Sequence, residues 1–200
     1  CSQIAVFGAA RRFHRFRVDF RRESLLLRAM QDFDMALPTP AARREAHPID
    51  LIEDVAHAND WTFERAGDDE VAMGIVGKWA EYNIAFSWLA DHEALHLSCA
   101  WEVKVGESRW NELTKLLAAI NEQMLLGHFD FWQSEGIIMY RQTLVLTGGV
   151  EPTDRQIEAI LDNAIKSCEN YFPAFQYVIW SGVPAREALD NVLFETVGTA

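Results

Sequence analysis

The centre of the chain alternates between large apolar side chains and short or polar ones. From Tyr82 to Trp88 every second residue is large and apolar, and the same period of two returns from Leu95 to Val103. Because successive side chains of a β-strand point to opposite faces of its sheet, this period predicts half-buried strands. Residues 91–93, between the two runs, predict an antiparallel hairpin turn. Two further strands are predicted upstream, one at Trp61, Thr62, Phe63 and Glu64 and one at Val71, Met73, Ile75 and Trp79.

The predicted sheet has two unlike faces. The heavy face carries Tyr82, Ile84, Phe86, Trp88, Leu95, Leu97, Cys99, Trp101 and Val103. The opposite face, called the light face below, carries Asn83, Ala85, Ser87, Ala94, His96, Ser98 and Ala100. Short side chains let another backbone approach closely, so the light face is either exposed to solvent or covered by a helix, a second subunit or a peptide. As a protein-binding surface its candidate residues are Asn83, Ala85, Ser87, His96, Ser98 and Ala100.

Steps of three and four between apolar residues predict the helices on either side of these strands. The first runs from Pro48 to about Asn59, and a central helix, capped by Ser108 and ended by Gly127, buries Trp110, Leu113, Leu117 and Ile120. Strands at 128–133 and 137–146 follow, then a long helix from Thr153 that Pro173 should kink or end early, and a short last helix after Pro184. The predicted class is α+β, an antiparallel sheet flanked by helices in the order α-β-β-β-β-α-β-β-α-α.

The net charge of −12 conceals two unlike segments. Residues 1–45 carry nine arginines and five acidic residues, whereas residues 46–200 carry nine basic and twenty-five acidic residues. Phosphate groups would be repelled over most of so acidic a body, which argues against a nucleic-acid partner. No apolar run approaches the ~18 residues of a membrane-spanning helix, so no membrane partner is expected.

Residues 1–45 are interpreted as an arginine-rich, disordered leader, and a natural start at Met30 or Met35 is an alternative interpretation. Arg11-Arg12 is not followed by the continuous apolar core of an export signal. The prolines Pro38 and Pro40 then interrupt any helix before the domain at residues 46–200 begins.

Three cysteines, Cys1, Cys99 and Cys168, are too few and too scattered for a disulfide framework or a zinc ribbon. Because Cys99 and Cys168 fall on apolar faces, they are expected to be buried, reduced thiols in a cytoplasmic protein.

One catalytic pattern occurs, His92-Glu93-Ala94-Leu95-His96, which has the H-E-x-x-H form of zinc proteases. That chemistry needs both histidines one turn apart on a helix, with the glutamate beside the metal-bound water. Here His96 falls within a strand pattern and His92 at a turn. We therefore expect the match to be a coincidence, with no catalytic residues, no metal and no cofactor.

From Pro48 onward the chain resembles the YbjN family in its alphaproteobacterial form. The resemblance rests on short motifs that occur in order: Asn121-Glu122, Leu126-Gly127-His128-Phe129-Asp130, Trp132, Glu135-Gly136, Leu146-Thr147-Gly148-Gly149, Cys168-Glu169, Tyr171-Phe172-Pro173-Ala174-Phe175-Gln176, Trp180 and Gly182. It implies a fold similar to type III secretion chaperones and a role in sensory transduction and stress regulation. The family brings no catalytic residues that could be carried over.

Three functions remain open at this point. The leading hypothesis is a non-catalytic cytoplasmic regulator or chaperone-like adaptor that binds a protein partner or a second copy of itself. A zinc hydrolase built on His92, Glu93 and His96 is the catalytic alternative. A sensor with a small-ligand pocket between the central helix and the sheet is the third.

Overall fold

The computed structural model describes residue 44 and residues 46–197, with side chains up to Val192. The predicted leader therefore lies outside the described residues, apart from Arg44. The helices are α1 (Pro48–Ala58), α2 (Trp110–Gln123), α3 (Asp154–Gln176) and α4 (Ala185–Val197). The strands are β1 (Phe63–Gly67), β2 (Glu70–Val76), β3 (Glu81–Leu89), β4 (Ala94–Trp101), β5 (His128–Trp132) and β6 (Ile137–Val145). This confirms the predicted order of elements and the α+β class.

The six strands form one sheet in the spatial order β1-β2-β3-β4-β6-β5, and every neighbouring pair is antiparallel. The heavy face packs against the helices, because residues of α1, α2, α3 and α4 share one buried cluster with Tyr82, Phe86, Leu97 and Trp101. The alternation therefore correctly predicted which face of the sheet packs into the main core. Among the residues described, no helix is long and apolar enough to cross a bilayer.

The strand predicted from Val71 to Trp79 ends earlier than expected, because Trp79 belongs to the turn that follows it. Strand β2 ends at Val76, and the Gly77 amide donates to the Ala80 carbonyl at 2.8 Å. Trp79 is 43% exposed and stacks on Phe172 with the rings 6.3 Å apart. Trp79 therefore lies at the surface against Phe172, in a turn rather than in a strand, and is not a member of the buried core.

Three helix boundaries also differ from the prediction, and the first is the end of α2, which lies at Gln123 rather than at Gly127. Ser108 lies in a short 3₁₀ turn, Glu107–Arg109, and α2 begins after it without a side-chain cap. Helix α3 continues through Pro173 to Gln176, since Phe172, Ala174 and Phe175 around the proline are buried in the core. Tertiary packing of an apolar face can hold a helix that local propensity would end.

Candidate functional site

The light face is built in rows by the register of four neighbouring strands. In the middle row Ala72 of β2 lies beside Ala85, Ala85 beside Ser98, and Ser98 beside Arg141 of β6. Two further rows flank the middle one. One runs through Ser87, His96 and Thr143, and the other runs through Asn83, Ala100 and Met139. The six candidate residues predicted from the sequence thus occupy one surface, as their alternation required.

The centre of the light face is buried. Ser98 is 2% exposed, His96 5%, and Ala85 and Ala100 6% each, whereas Asn83 and Ser87 at its rim are partly exposed. The alternative of a solvent-exposed light face is therefore wrong at its centre. Ala100 packs against Ile137 and Met139 of β6, with Trp132 of β5 beside them.

A polar chain crosses this face from β4 to β5. Arg141 Nε donates to His96 Nε2 at 3.3 Å, and Arg141 Nη1 lies 3.1 Å from Asp130 Oδ2. Burial, followed by the positive charge of Arg141 and then by His128, lowers the pKa of His96 to about 4. His96 is consequently neutral near pH 7, with its proton on Nδ1 because Nε2 accepts. Sequence reasoning missed Arg141, because its position beside Ser98 depends on the register between β4 and β6.

We expect the protein to lose stability as the pH falls from about 6.5 to about 4, because unfolded His96 binds a proton in this range and folded His96 does not. The contribution is at most about 3 kcal/mol over that window. His128, whose pKa is also lowered, first by burial and then by Arg141, adds in the same direction. Urea unfolding at pH 7 and pH 4.5 should show a smaller pH dependence for His96→Gln than for the parent protein. His92→Gln, at an exposed turn, is the control, and an unchanged pH dependence in His96→Gln would contradict the assignment.

The H-E-x-x-H residues do not share a helix face. His92 ends a 3₁₀ turn, Glu93 has a left-handed φ of 45°, and His96 lies on β4. Both Glu93 carboxylate oxygens are engaged: Oε1 accepts from Arg44 at 3.1 Å and Oε2 from the Gly148 amide at 2.8 Å. In the described part of the chain no three His, Cys, Asp or Glu side chains are grouped as metal ligands would be. Glu93 has a structural task, which is to fasten the β3–β4 turn to the loop after β6.

Purified protein is expected to carry far less than one zinc ion per chain, and chelation should leave its melting temperature unchanged. The reason is that a helix presents both histidines and the glutamate to one ion, whereas here a turn and a strand separate them. Elemental analysis with and without EDTA measures this. One tightly held zinc ion per chain, lost in both His92→Ala and His96→Ala, would show that the motif binds metal.

Arg44 was placed in the leader by the sequence, yet its side chain is attached to the domain. Its guanidinium donates to the carbonyls of Leu146 at 2.6 Å and Val150 at 2.7 Å, and lies 4.7 Å from the ring centroid of Trp88. Together with the Glu93 ion pair, these contacts leave the side chain 10% exposed. One arginine among nine carried no sequence signal for this role.

Cys99 of β4 and Cys168 of α3 are both fully buried, as predicted, and their sulfur atoms are 3.5 Å apart. Burial, followed by the contact with Cys99, raises the pKa of the Cys168 thiol. A thiol that stays protonated is a poor nucleophile, so this pair belongs to the core.

The interface between α2 and the sheet, where a ligand pocket was considered, is filled by side chains. Leu113, Leu116 and Ile120 are fully buried in the cluster that contains the heavy face. Leu116 was missed by the sequence analysis, and Trp110, which was included, is only partly buried.

Residues of two short motifs quoted in the sequence analysis make hydrogen bonds that hold the fold together. The Asn121 side chain pairs with the backbone of Phe129, accepting at 2.8 Å and donating at 2.9 Å. Glu169 Oε1 accepts from the Lys78 amide at 2.8 Å and so holds the β2–β3 turn. A further contact, between residues outside these motifs, is the hydrogen bond that Asn163 Nδ2 donates to Tyr140 Oη at 2.6 Å.

The family model described as "Putative bacterial sensory transduction regulator", YbjN, matches residues 48–177. The chain belongs to the YbjN family. The match spans α1 to the end of α3, and therefore includes the whole sheet with its light face. No curated protein matches the sequence.

Three solved structures are similar to this chain. The crystal structure of YbjN from E. coli is 14% identical, with 60% of this chain and 84% of that chain covered and a TM-score of 0.45. The ExsC–ExsE complex is 18% identical, with coverages of 61% and 88% and a TM-score of 0.46. The HopA1–SchA chaperone–effector complex is 13% identical, with coverages of 60% and 92% and a TM-score of 0.42.

Proposed function

We propose that this protein is a non-catalytic regulator that acts by binding a protein partner through its light face. Family membership supports the regulatory class, since the family description names a sensory transduction regulator. The observation that carries the proposal is the set of rows of short side chains across β2, β3 and β4. Side chains of this size let a second polypeptide approach the sheet closely.

The charges around the light face give such a partner an orientation. Register places Glu64 beside Ala72 and Glu70 beside Ser87, so acidic side chains border the face on the β1 and β2 side. Arg141 and His128 lie side by side on the opposite border. Because Arg141 is already paired with Asp130, the acidic border is the one that attracts opposite charge, and it fixes the direction in which a partner binds.

Replacing Ser87 with arginine is expected to abolish partner binding without unfolding the domain, because Ser87 lies at the partly exposed rim of the light face. Tagged variants are incubated with an extract of the source organism, and the captured proteins are identified by mass spectrometry. Ser108→Arg is the matched control, since it makes the same substitution at an exposed site on the helical side.

A partner retained by the parent protein and by Ser108→Arg, but lost from Ser87→Arg, supports the proposal when circular dichroism shows that both variants are folded. Equal capture by folded Ser87→Arg and Ser108→Arg places the binding surface elsewhere and contradicts it. Sedimentation velocity on the same samples shows whether the partner is a second copy of this chain.

A further inference from the structure

Strand β6 is longer than the strand that pairs with its outer edge. Strand β5 pairs with β6 only from Ile137 to Arg141, whereas β6 continues to Val145 and pairs with β4 over that length. No other described strand borders β6. The last residues of β6, 142–145, therefore have one paired edge and one edge with no described strand beside it, which is called the open edge below.

The neighbouring hydrogen bonds show which backbone groups point to the open edge. The Leu146 amide donates to the Glu93 carbonyl on the β4 side, and the backbone groups of successive strand residues point to alternate sides. The amide and carbonyl groups of Thr143 and Val145 consequently point to the open edge. Strand β5 agrees with this alternation, because the Phe129 backbone is bound on the side away from β6 by a side chain of α2.

The two outer strands of the sheet are obstructed along their free edges. On β5, the side chains of Asn121 and Asp130 bind the backbone amides of Phe129 and Phe131 respectively. Strand β1 carries charged residues and an irregularity in its register with β2. Charged side chains and bulges are features by which proteins prevent pairing at sheet edges. The open edge of β6 has neither.

The surroundings of the open edge are apolar and uncharged. Seven large apolar residues are exposed in the described part of the chain, and three of them lie here, Leu125, Leu126 and Val145. The Leu126 carbonyl accepts from Tyr140 Oη of β6 at 3.3 Å, which places this loop beside the strand. Residues 124–127 and 142–150 contain no charged residue and no histidine. An exposed apolar patch of this kind marks an interaction site.

We propose that a second copy of this chain binds at the open edge, where the β6 strands of two protomers pair antiparallel about a two-fold axis at Leu144. This register places Thr143 of one protomer opposite Val145 of the other. Residues that face each other in this way exchange two hydrogen bonds, so every outward amide and carbonyl group of Thr143 and Val145 is paired. An axis at Thr143 or at Val145 would leave the other residue without a partner strand.

The charge of the patch favours a second copy over other occupants. Residues 46–200 carry twenty-five acidic and nine basic residues, so a partner attracted by charge would be basic and would need acidic groups at the contact. The open edge has none, whereas an uncharged surface meets its own copy without repulsion. Two-fold symmetry uses the same patch on both protomers, so Leu144 meets its counterpart at the axis and the exposed leucines of both loops lie beside it.

This dimer goes beyond the proposed function and leaves the light face free. Because the axis is perpendicular to the sheet, the six strands of each protomer continue into those of the other. Both light faces then lie on the same side of one continuous sheet. A partner that binds the light face can therefore contact both protomers.

Sedimentation velocity of the full chain over a wide range of protein concentration tests for the dimer. We expect a monomer–dimer equilibrium in the parent protein and a dissociation constant at least about tenfold higher in Val145→Lys, because two lysines would flank the axis. Val76→Lys is the matched control, since it makes the same substitution at an exposed residue that ends β2. A parent protein that stays monomeric, or a folded Val145→Lys that associates like Val76→Lys, overturns the proposal.

Disulfide crosslinking tests the register. In chains that also carry Cys1→Ser, Leu144→Cys places two thiols at the axis with their Cα atoms about 4.5 Å apart, which a disulfide can span. Thr147→Cys is the control, because its two copies would lie about 20 Å apart. Under oxygen with copper phenanthroline we expect Leu144→Cys to form disulfide-linked dimers and Thr147→Cys to stay monomeric, and equal behaviour of the two variants would overturn the register.

If Leu144→Cys does not fold, a mixture of Thr143→Cys and Val145→Cys chains replaces it. Both positions are exposed, and they face each other in the dimer with Cα atoms about 5.5 Å apart. The mixture should form disulfide-linked dimers faster than either variant alone. No difference between the mixture and the single variants would contradict the register.

The dimer and the proposed partner site fail in different ways. Ser87 lies on β3, which is separated from β6 by β4, so Ser87→Arg should leave the monomer–dimer equilibrium unchanged even though it removes partner binding. Sedimentation velocity of Ser87→Arg beside the parent protein measures this. A folded Ser87→Arg that stays monomeric would show that two copies meet through the light face, and the open-edge dimer would then be wrong.

Discussion

Replacing Leu113 with alanine is expected to lower the free energy of unfolding by about 2–5 kcal/mol. Leu113 lies in the first turns of α2, is fully buried, and belongs to the cluster that joins the helices to the heavy face. Alanine is the better helix former, so any loss of stability must come from the cavity and the lost contacts. Urea unfolding followed by tryptophan fluorescence and by circular dichroism measures the change.

The chain offers a matched control for this substitution. Leu125 follows the end of α2 and is 94% exposed, so Leu125→Ala should change the unfolding free energy by less than about 0.5 kcal/mol. A loss below that value for Leu113→Ala as well would show that α2 does not pack on the sheet as described.

The order of elements could be predicted because apolar residues recur at every second position in the strands and at steps of three and four in the helices. Strand β4 shows why the light face was harder to interpret. Its residues Ala94 to Trp101 are buried on both faces, but alternation of size reports only which side chains are larger. Burial of the small ones depends on what lies over them, and no local pattern encodes that.

The strand end before Trp79 and the continuation of the helix beyond Pro173, two places where an element ends elsewhere than predicted, share a physical cause. Each prediction used a local rule, and in each case tertiary contacts override that rule. Trp79 lies in the turn after its predicted strand, where Glu169 accepts a hydrogen bond from the amide of the neighbouring Lys78, a contact across 91 residues. Pro173 stays within α3 because its neighbours Phe172 and Phe175 are buried. Long-range contacts of this kind are invisible to a window of ten or fifteen residues.

The parts of the candidate site were predictable to different degrees. His96 and Ser98 follow from the alternation of one strand. Arg141 required the register between β4 and β6, in which Ser98 lies opposite it, and register between strands distant in sequence cannot be read from either strand alone. Arg44 required knowledge of two carbonyl acceptors in the loop after β6 and one carboxylate acceptor in the β3–β4 turn.

Replacing Gly127 with alanine is expected to be the most damaging of three equivalent substitutions, because it combines backbone strain with a steric clash. Gly127 has a φ of +67°, and a Cβ there would overlap the hydroxyl of Tyr140. Tyr140 is fully buried and its hydroxyl is held by Gln142 and Asn163 at 2.6 Å each, so the ring has little room to move. Left-handed backbone costs about 1–2 kcal/mol and overpacking about 1–3 kcal/mol, which predicts a loss of roughly 2–5 kcal/mol.

Two other glycines separate these contributions. Gly148 has a φ of +86° with nothing within 4 Å of an added Cβ, so Gly148→Ala should show the strain alone, about 1–2 kcal/mol. Gly67 has open space and no positive φ, so Gly67→Ala should be neutral or slightly stabilising. Urea unfolding of the three variants under one condition gives the order directly. A loss at Gly127 no larger than at Gly148 would mean that Tyr140 yields to the new methyl group, and that its hydrogen bonds to Asn163 and Gln142 do not fix the ring.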